Sequence, residues 1–290
     1  MALVRWLKKR MFGCACEPTE PVDPEQTRQT VAQAYTHAVE RATPCCGAPV
    51  PKGGVAKLAG YAADDLDRSP ADAVVNSFGC GNPIAFAGVR DGHVVLDLGS
   101  GAGLDLVLAA EKVGPSGRVI GVDMTDAMIE RARANAKRSG HDNIEVRKGL
   151  VENLPVTTGS VDVVASNCVL NLSTDKPAAF REIARVLKPG GTISISDIVV
   201  SDLPGWVREI TGSYAACLGG AISEAEYVAG LEAAGLVDVT VRDRLVYDAD
   251  QLAGLVASEL PGVTPELVER ALPIVAGKVQ SIRVHARKPS

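Results

Sequence analysis

No long run of lysine and arginine occurs in the 290 residues, and the formal net charge is −5. Holding a phosphate backbone needs clustered positive charge, so no nucleic-acid partner is expected. The short basic stretch RWLKKR near the start does not alter that. Nor does the sequence contain an apolar run of bilayer length. The opening MALVRWLKKRMFGCAC puts its charges after its apolar residues, the reverse of a secretory leader, and GCAC lacks the apolar segment of a lipoprotein signal. Residues 1–22 therefore read as a loosely ordered tail. The chain reads as cytoplasmic, with no membrane partner.

Paired CxxC motifs at zinc spacing are also missing, although there are seven cysteines: Cys14, Cys16, Cys45, Cys46, Cys80, Cys168 and Cys217. An odd number in a chain this large is a poor disulfide framework for a reducing compartment, and the spacing is wrong for a zinc site. The four histidines are scattered, no His or Glu stands out as a catalyst, and no internal repeat is visible.

What is present is ample apolar material, 46% of residues, enough for a sizeable core. DPEQTRQTVAQAYTHAVERA opens as a helix, with Asp23 as cap, Pro24 at the first helical position and Gln26 placed to close a capping box. TPCCGAPVPKGG is a loop. GYAADDLDRSPADAVVNSFGCGNP mixes short helical pieces with turns, so residues 23–91 read as an N-terminal lobe. From His93 the pattern alternates: strands HVVLDLG, RVIGVDM, NIEVRKG, VDVVASN and TISISDIV, with helices GLDLVLAAEKVG, TDAMIERARANAKRSG and DKPAAFREIARVLKPGG between them. The last of these is expected to run until Pro189 and two glycines stop it. Such alternation predicts an α/β fold with a parallel sheet covered on both faces, here over residues 92–200. Residues 201–248 read as mainly helical with a Gly-rich break, then a strand. Residues 249–290 form a C-terminal extension of two weaker helices and a last strand.

VLDLGSGAG joins a strand to a helix, and its glycines let the backbone turn tightly and approach a ligand. The spacing is GxGxG, without the later glycine of the dinucleotide fingerprint. Asp97 precedes the glycines. Asp123, at the end of the next strand, stands where a carboxylate could accept both ribose hydroxyls. This pattern resembles the class I S-adenosylmethionine-dependent methyltransferases. The resemblance implies a Rossmann-like parallel-sheet core with S-adenosylmethionine as cofactor. Its candidate contacts are Asp97, Gly99, Ser100, Gly101 and Gly103 in the first loop, and Asp123 and Met124 after the second strand. Leu150, Val151 and Glu152 follow the third strand, and Asn167 ends the fourth.

The fourth strand opens into SNCVLNL at the carboxyl end of the sheet, where open α/β folds bind ligands, so Cys168 is expected beside the cofactor. Cys80 stands in SFGCGNP and Cys217 in AACLGGAI. Singly, each could be a small buried hydrophobe. Together with TPCCG, KGLVENLP and YAACLGGAISEAEY, these stretches resemble the arsenite methyltransferase family over roughly residues 35–240. The resemblance implies that Cys80, Cys168 and Cys217 hold trivalent arsenic, a soft centre suited to thiolates. It also implies that Cys45 or Cys46 serves as redox partner of Cys80, with arsenite and methylarsenicals as substrates and thioredoxin or glutathione as reductant. Cys14 and Cys16 lie outside the resemblance, and Tyr35 is followed by Thr36 where glycine is expected. Two other readings remain at this point: a methyltransferase for a small organic acceptor with structural cysteines, and a thiol-based arsenic sensor without catalysis.

Overall fold

The structure, a computed structural model, describes residues 23–40, 56–57, 59–202, 217–248, 252 and 272–290. The expectations for Cys14, Cys16, Cys45 and Cys46 lie outside these residues, as does most of the stretch expected to be helical after Ala249, of which 252 and 272–275 are described and helical.

Seven strands form one sheet: β1 Val94–Leu98, β2 Arg118–Asp123, β3 Ile144–Lys148, β4 Val161–Asn167, β5 Leu187–Val200, β6 Val237–Val246 and β7 Val279–Arg287. Their order is β3-β2-β1-β4-β5-β7-β6. The first five run parallel, and β7 lies antiparallel between β5 and β6. The apolar runs of β1, β2 and β4 are buried on both faces, as central parallel strands must be. β6 shows the outer-strand pattern: Val237, Val239 and Val241 are half-buried, while Asp238, Thr240 and Arg242 face solvent.

The helices are α1 Pro24–Glu40, α2 Ala63–Arg68, α3 Ala71–Val75, α4 Pro83–Phe86, α5 Leu104–Val113, α6 Asp126–Ser139, α7 Lys176–Val186 and α8 Glu224–Ala233. Local chemistry sets several ends. Asp23 accepts from the Glu25 N–H, Asn82 from Ala85 and Asp175 from Ala178. Gly140 ends α6 in the left-handed conformation, and Ser223 with Glu226 makes a capping box for α8. α7 stops at Val186, earlier than the sequence pattern suggested. Lys188 precedes Pro189 and is steered out of the helical region, so Leu187 already begins β5.

Alternate strand residues feed two cores. Leu96, Leu98, Ile193 and Ile195 pack with Phe180 of α7 and Tyr227 of α8. Those two rings meet edge-on at 5.3 Å, where a Cβ at Gly230 would collide with Phe180. On the other face Val95, Val119 and Val163 pack with α5 and α6, and with Tyr61, Leu66, Ala73 and Ile84 of the N-terminal segment. A third cluster, at the carboxyl end of the sheet, joins Cys168, Ile198, Val200, Cys217 and Leu218, with Cys80 packed against it.

Candidate functional site

β1 ends in a loop whose glycines Gly99, Gly101 and Gly103 all take positive φ, at 60°, 51° and 92°. L side chains resist that region. A Cβ at Gly99 would also strike the Val169 side chain. Asp123, at the end of β2, closes the loop by accepting the Gly101 N–H at 3.0 Å and the Thr125 N–H at 2.8 Å. The loop borders a cleft of about 990 Å³, its solvent-open mouth included. All the cofactor candidates line it: Asp97, Gly99, Ser100, Gly101 and Gly103 on one side, Asp123 and Met124 beyond, Leu150, Val151 and Glu152 after β3, and Asn167 at the end of β4. Arg28, Val31 and Tyr35 of α1 line it as well. Arg28 Nη2 donates to Thr174 Oγ1 at 3.2 Å.

Three carboxyl groups gather on one side of the cleft. Asp97 is buried in β1, and its carboxyl is pushed far above the usual range by burial and by the neighbouring Asp105 and Asp123. Burial raises Asp105 to about 6, against the pull of its Tyr61 and Asn167 hydrogen bonds. Asp123 is raised by burial too, and backbone N–H groups oppose the shift.

The three cysteine contexts meet at the cleft's edge. Cys80 and Cys168 form a disulfide with Cα atoms 5.9 Å apart. Cys217 is a buried thiol whose Sγ donates to the Cys168 carbonyl at 3.1 Å. Both Cys168 and Cys217 sit at positive φ, 58° and 49°, which is uncommon for a non-glycine residue and marks backbone held by its surroundings. Cys168 lines the cofactor cleft.

Two of the expected contacts also bond to protein groups around the cleft. Glu152 Oε1 accepts from Ser173 Oγ at 2.7 Å and the Thr174 N–H at 3.2 Å, which braces the loop after β4. The Asn167 amide is joined to Gly81, Tyr61 and Asp105. Cys80 is bonded to Cys168, where the 79–82 turn is seated directly on the end of β4. The relay expected of Cys45 or Cys46 with Cys80 lies outside the described residues.

Residues 90–235 match the family described as a methyltransferase domain. A curated arsenite methyltransferase of Halobacterium salinarum is 40% identical over 253 residues, covering 80% of this chain and 64% of that protein. Another, of Aquipseudomonas alcaligenes, is 43% identical over 153 residues, covering 50% of this chain and 44% of the relative. The crystal structure of an arsenic(III) S-adenosylmethionine methyltransferase from Chlamydomonas reinhardtii matches with a TM-score of 0.59 and 31% identity, over 84% of this chain and 75% of that one. The chain belongs to the arsenite S-adenosylmethionine methyltransferase family. It spans less than two thirds of the two curated relatives' length.

S-adenosylmethionine is the cofactor of this family, and the cleft fits it. Three carboxyl groups line one side of the cleft, and a ligand carrying an ammonium and a sulfonium would relieve their mutual repulsion. Ser100 Oγ is buried there with no hydrogen-bond partner. Asp123, which lines the cleft, stands where its carboxylate could accept from ribose hydroxyls beside its bonds to the loop.

Sequence reasoning missed Tyr61 and Asp105. Asp105 gave one signal, a carboxylate in the first turn of the otherwise apolar helix LDLVLAA. Tyr61 gave none, because its partners lie 44 and 106 residues away. Among the described residues no helix is long and apolar enough to cross a membrane, and no cluster of three His, Cys, Asp or Glu could hold a metal ion.

Proposed function

We propose that this protein methylates trivalent arsenic, arsenite and then methylarsenite, held by the thiolates of Cys80, Cys168 and Cys217. The carrying observation is the convergence of these three residues, separated by 88 and 49 positions in the chain, at one edge of the cofactor cleft. Reduced, Cys80 and Cys168 offer two sulfurs across a 5.9 Å Cα separation, and Cys217 supplies a third against the Cys168 carbonyl. Arsenite would exchange its hydroxyls for these sulfurs, each thiol proton leaving with a hydroxide as water. Three thiolates leave arsenic pyramidal, with its lone pair on the open side.

When bound, S-adenosylmethionine supplies a methyl group made electrophilic by its sulfonium. The protein's task is then orientation, and Cys168, which belongs both to the cleft wall and to the thiol group, sets the line between them. Orientation of this kind contributes up to roughly 7–11 kcal/mol of barrier lowering. A thiol-bound arsenic needs no general base.

Methyl transfer leaves arsenic formally pentavalent, and two electrons must return it to the trivalent state. Two thiolates supply them by closing to a disulfide, which an external dithiol such as thioredoxin, or glutathione, reopens by exchange. Cys80 and Cys168 are the pair we assign, with Cys45 and Cys46 as the next carriers.

The test is incubation of purified protein with arsenite, labelled S-adenosylmethionine and a thiol, followed by arsenic speciation. Labelled mono- and dimethylarsenicals are expected. Folded protein that yields no methylated arsenical rejects the proposal. Cys217→Ser is expected to lower turnover on the order of 100-fold or more, since one lost ligand leaves the lone pair misaimed.

A further inference from the structure

The flanks of Cys80 in SFGCGNP are explained by what presses on them. A Cβ at Gly79 would collide with the Asn167 amide, and a Cβ at Gly81 with the Ser196 side chain. Both glycines are therefore needed for the turn to lie flat on the ends of β4 and β5. Asn167 then grips Gly81 from both sides. Its Oδ1 accepts the Gly81 N–H at 3.1 Å, and its Nδ2 donates to the Gly81 carbonyl at 2.6 Å. The second Nδ2 hydrogen is directed at Tyr61 Oη, 3.0 Å away, with Asp105 Oδ2 at 3.4 Å. Tyr61 in turn donates to the Asp105 carboxylate at 2.9 Å. Donors and acceptors alternate without conflict along Gly81, Asn167, Tyr61 and Asp105, and this fixes the orientation of the amide. Two serines complete the cradle: Ser281 Oγ donates to the Cys80 carbonyl at 3.1 Å and Ser194 Oγ to the Pro83 carbonyl at 2.8 Å.

We infer that Asn167, buttressed by Tyr61 and Asp105, is a positioning residue that holds Cys80 against Cys168, and that it contributes little as a cofactor contact. Asn167 immediately precedes Cys168, so one residue sets the backbone of one cysteine while its side chain holds the turn that carries the other. The purpose assigned to this pairing rests on the arsenic reading above; its geometry does not. The bridge ends on Asp105, in the first turn of α5 behind the glycine loop. The Cys80 turn is thus referenced to the same helix that borders the cofactor cleft.

The experiment uses the full chain equilibrated in mixtures of reduced and oxidised glutathione. Two glutathione thiols give up two electrons and two protons to open the Cys80–Cys168 bond, leaving oxidised glutathione. The bonded fraction is read by alkylation and peptide mass spectrometry, which separates this pair from the other cysteines. S-adenosylhomocysteine affinity is measured alongside by calorimetry. For Asn167→Ala the effective concentration of Cys80 toward Cys168 is expected to fall 10- to 100-fold, while S-adenosylhomocysteine affinity falls threefold or less. Tyr61→Phe, which keeps the ring and removes the hydroxyl, is expected to give a smaller fall of the same kind. It carries the test if Asn167→Ala does not fold. An unchanged glutathione equilibrium with affinity lost tenfold or more overturns the inference and makes Asn167 a cofactor contact. Equal losses in both readouts also overturn it, as they signal general loosening of the β4 end. Because no arsenic enters this experiment, its outcome is separate from that of the speciation assay.

Discussion

Asn171 Nδ2 donates to Asp197 Oδ1 at 2.8 Å, and both residues are fully buried behind the cysteine cluster. The same amide donates to the Ile198 carbonyl at 2.7 Å, and Tyr227 Oη donates to Asp197 Oδ2 at 3.2 Å. The turn that follows Cys168 is thereby pinned to β5 and α8. Burial raises the Asp197 carboxyl to about 7, while the Ile198 N–H and the nearby Lys176 cation pull it down.

That shift has a sign. An unfolded Asp titrates near 4, so Asp197 holds its proton more tightly in the folded state. Its contribution to stability is complete below about pH 4 and is lost as pH rises toward 7. Asp197→Asn keeps the Asn171 bond at its amide oxygen, reverses the Tyr227 contact so that the amide nitrogen donates to Tyr227 Oη, and removes the titration. Relative to wild type, the variant is expected to gain stability between pH 4 and 7, by an amount on the order of 4 kcal/mol at most. Urea unfolding of both proteins at pH 5 and pH 8 measures it. Parallel pH profiles would assign the shift to other groups.

Gly99→Ala is expected to weaken S-adenosylmethionine binding at least tenfold by calorimetry. The position combines φ 60° with a collision against Val169, whose neighbour Cys168 would move with it. Gly140→Ala is the control. Its φ is 75° but the space around it is open, so roughly 1–2 kcal/mol of stability should be lost with cofactor affinity intact.

Asp123→Ala removes the acceptor for Gly101 and Thr125 along with the proposed ribose contact. Loss of a charge-assisted pair of hydrogen bonds on that scale corresponds to roughly 1.5–3 kcal/mol, a 10- to 150-fold rise in cofactor Kd. Calorimetry on folded variant protein checks it.

The Cys80–Cys168 bond joins residues 88 apart in the chain. On chain-entropy grounds such a link stabilises by roughly 4–5 kcal/mol. Reductant is expected to lower the Tm of wild type and to leave Cys80→Ser unmoved. Arsenite added to the reduced wild-type protein should restore part of the loss, since a bridging ligand binds only the folded form. If arsenite moves both proteins equally, it is not bridging these two sulfurs.

The alternation of strand and helix from His93 to Val200 was legible because buried parallel strands and amphipathic helices write different periods into the sequence. The glycine loop and Asp123 were legible because they are local. The place of β7 between β5 and β6 was not, since strand order depends on pairings across nearly 90 residues that no local pattern encodes. The two asparagines of SNCVLNL illustrate the same limit. Both could be singled out as polar residues leaving a buried strand, but Asn167 finds its partner 86 residues upstream and Asn171 finds its own 26 downstream. The pairing of Cys80 with Cys168 follows from the first of these contacts and was equally out of reach of spacing.

Residues 279–287 supply an interior strand, which bears on how the nascent chain assembles. The ribosome must travel past them before β6 can find its neighbour, and until then the outer backbone of β5 is a naked edge open to foreign strands. Translation halted shortly before residue 279 would therefore release a polypeptide with its nucleotide-binding half formed and a sticky flank, the kind of species that chaperones must shield.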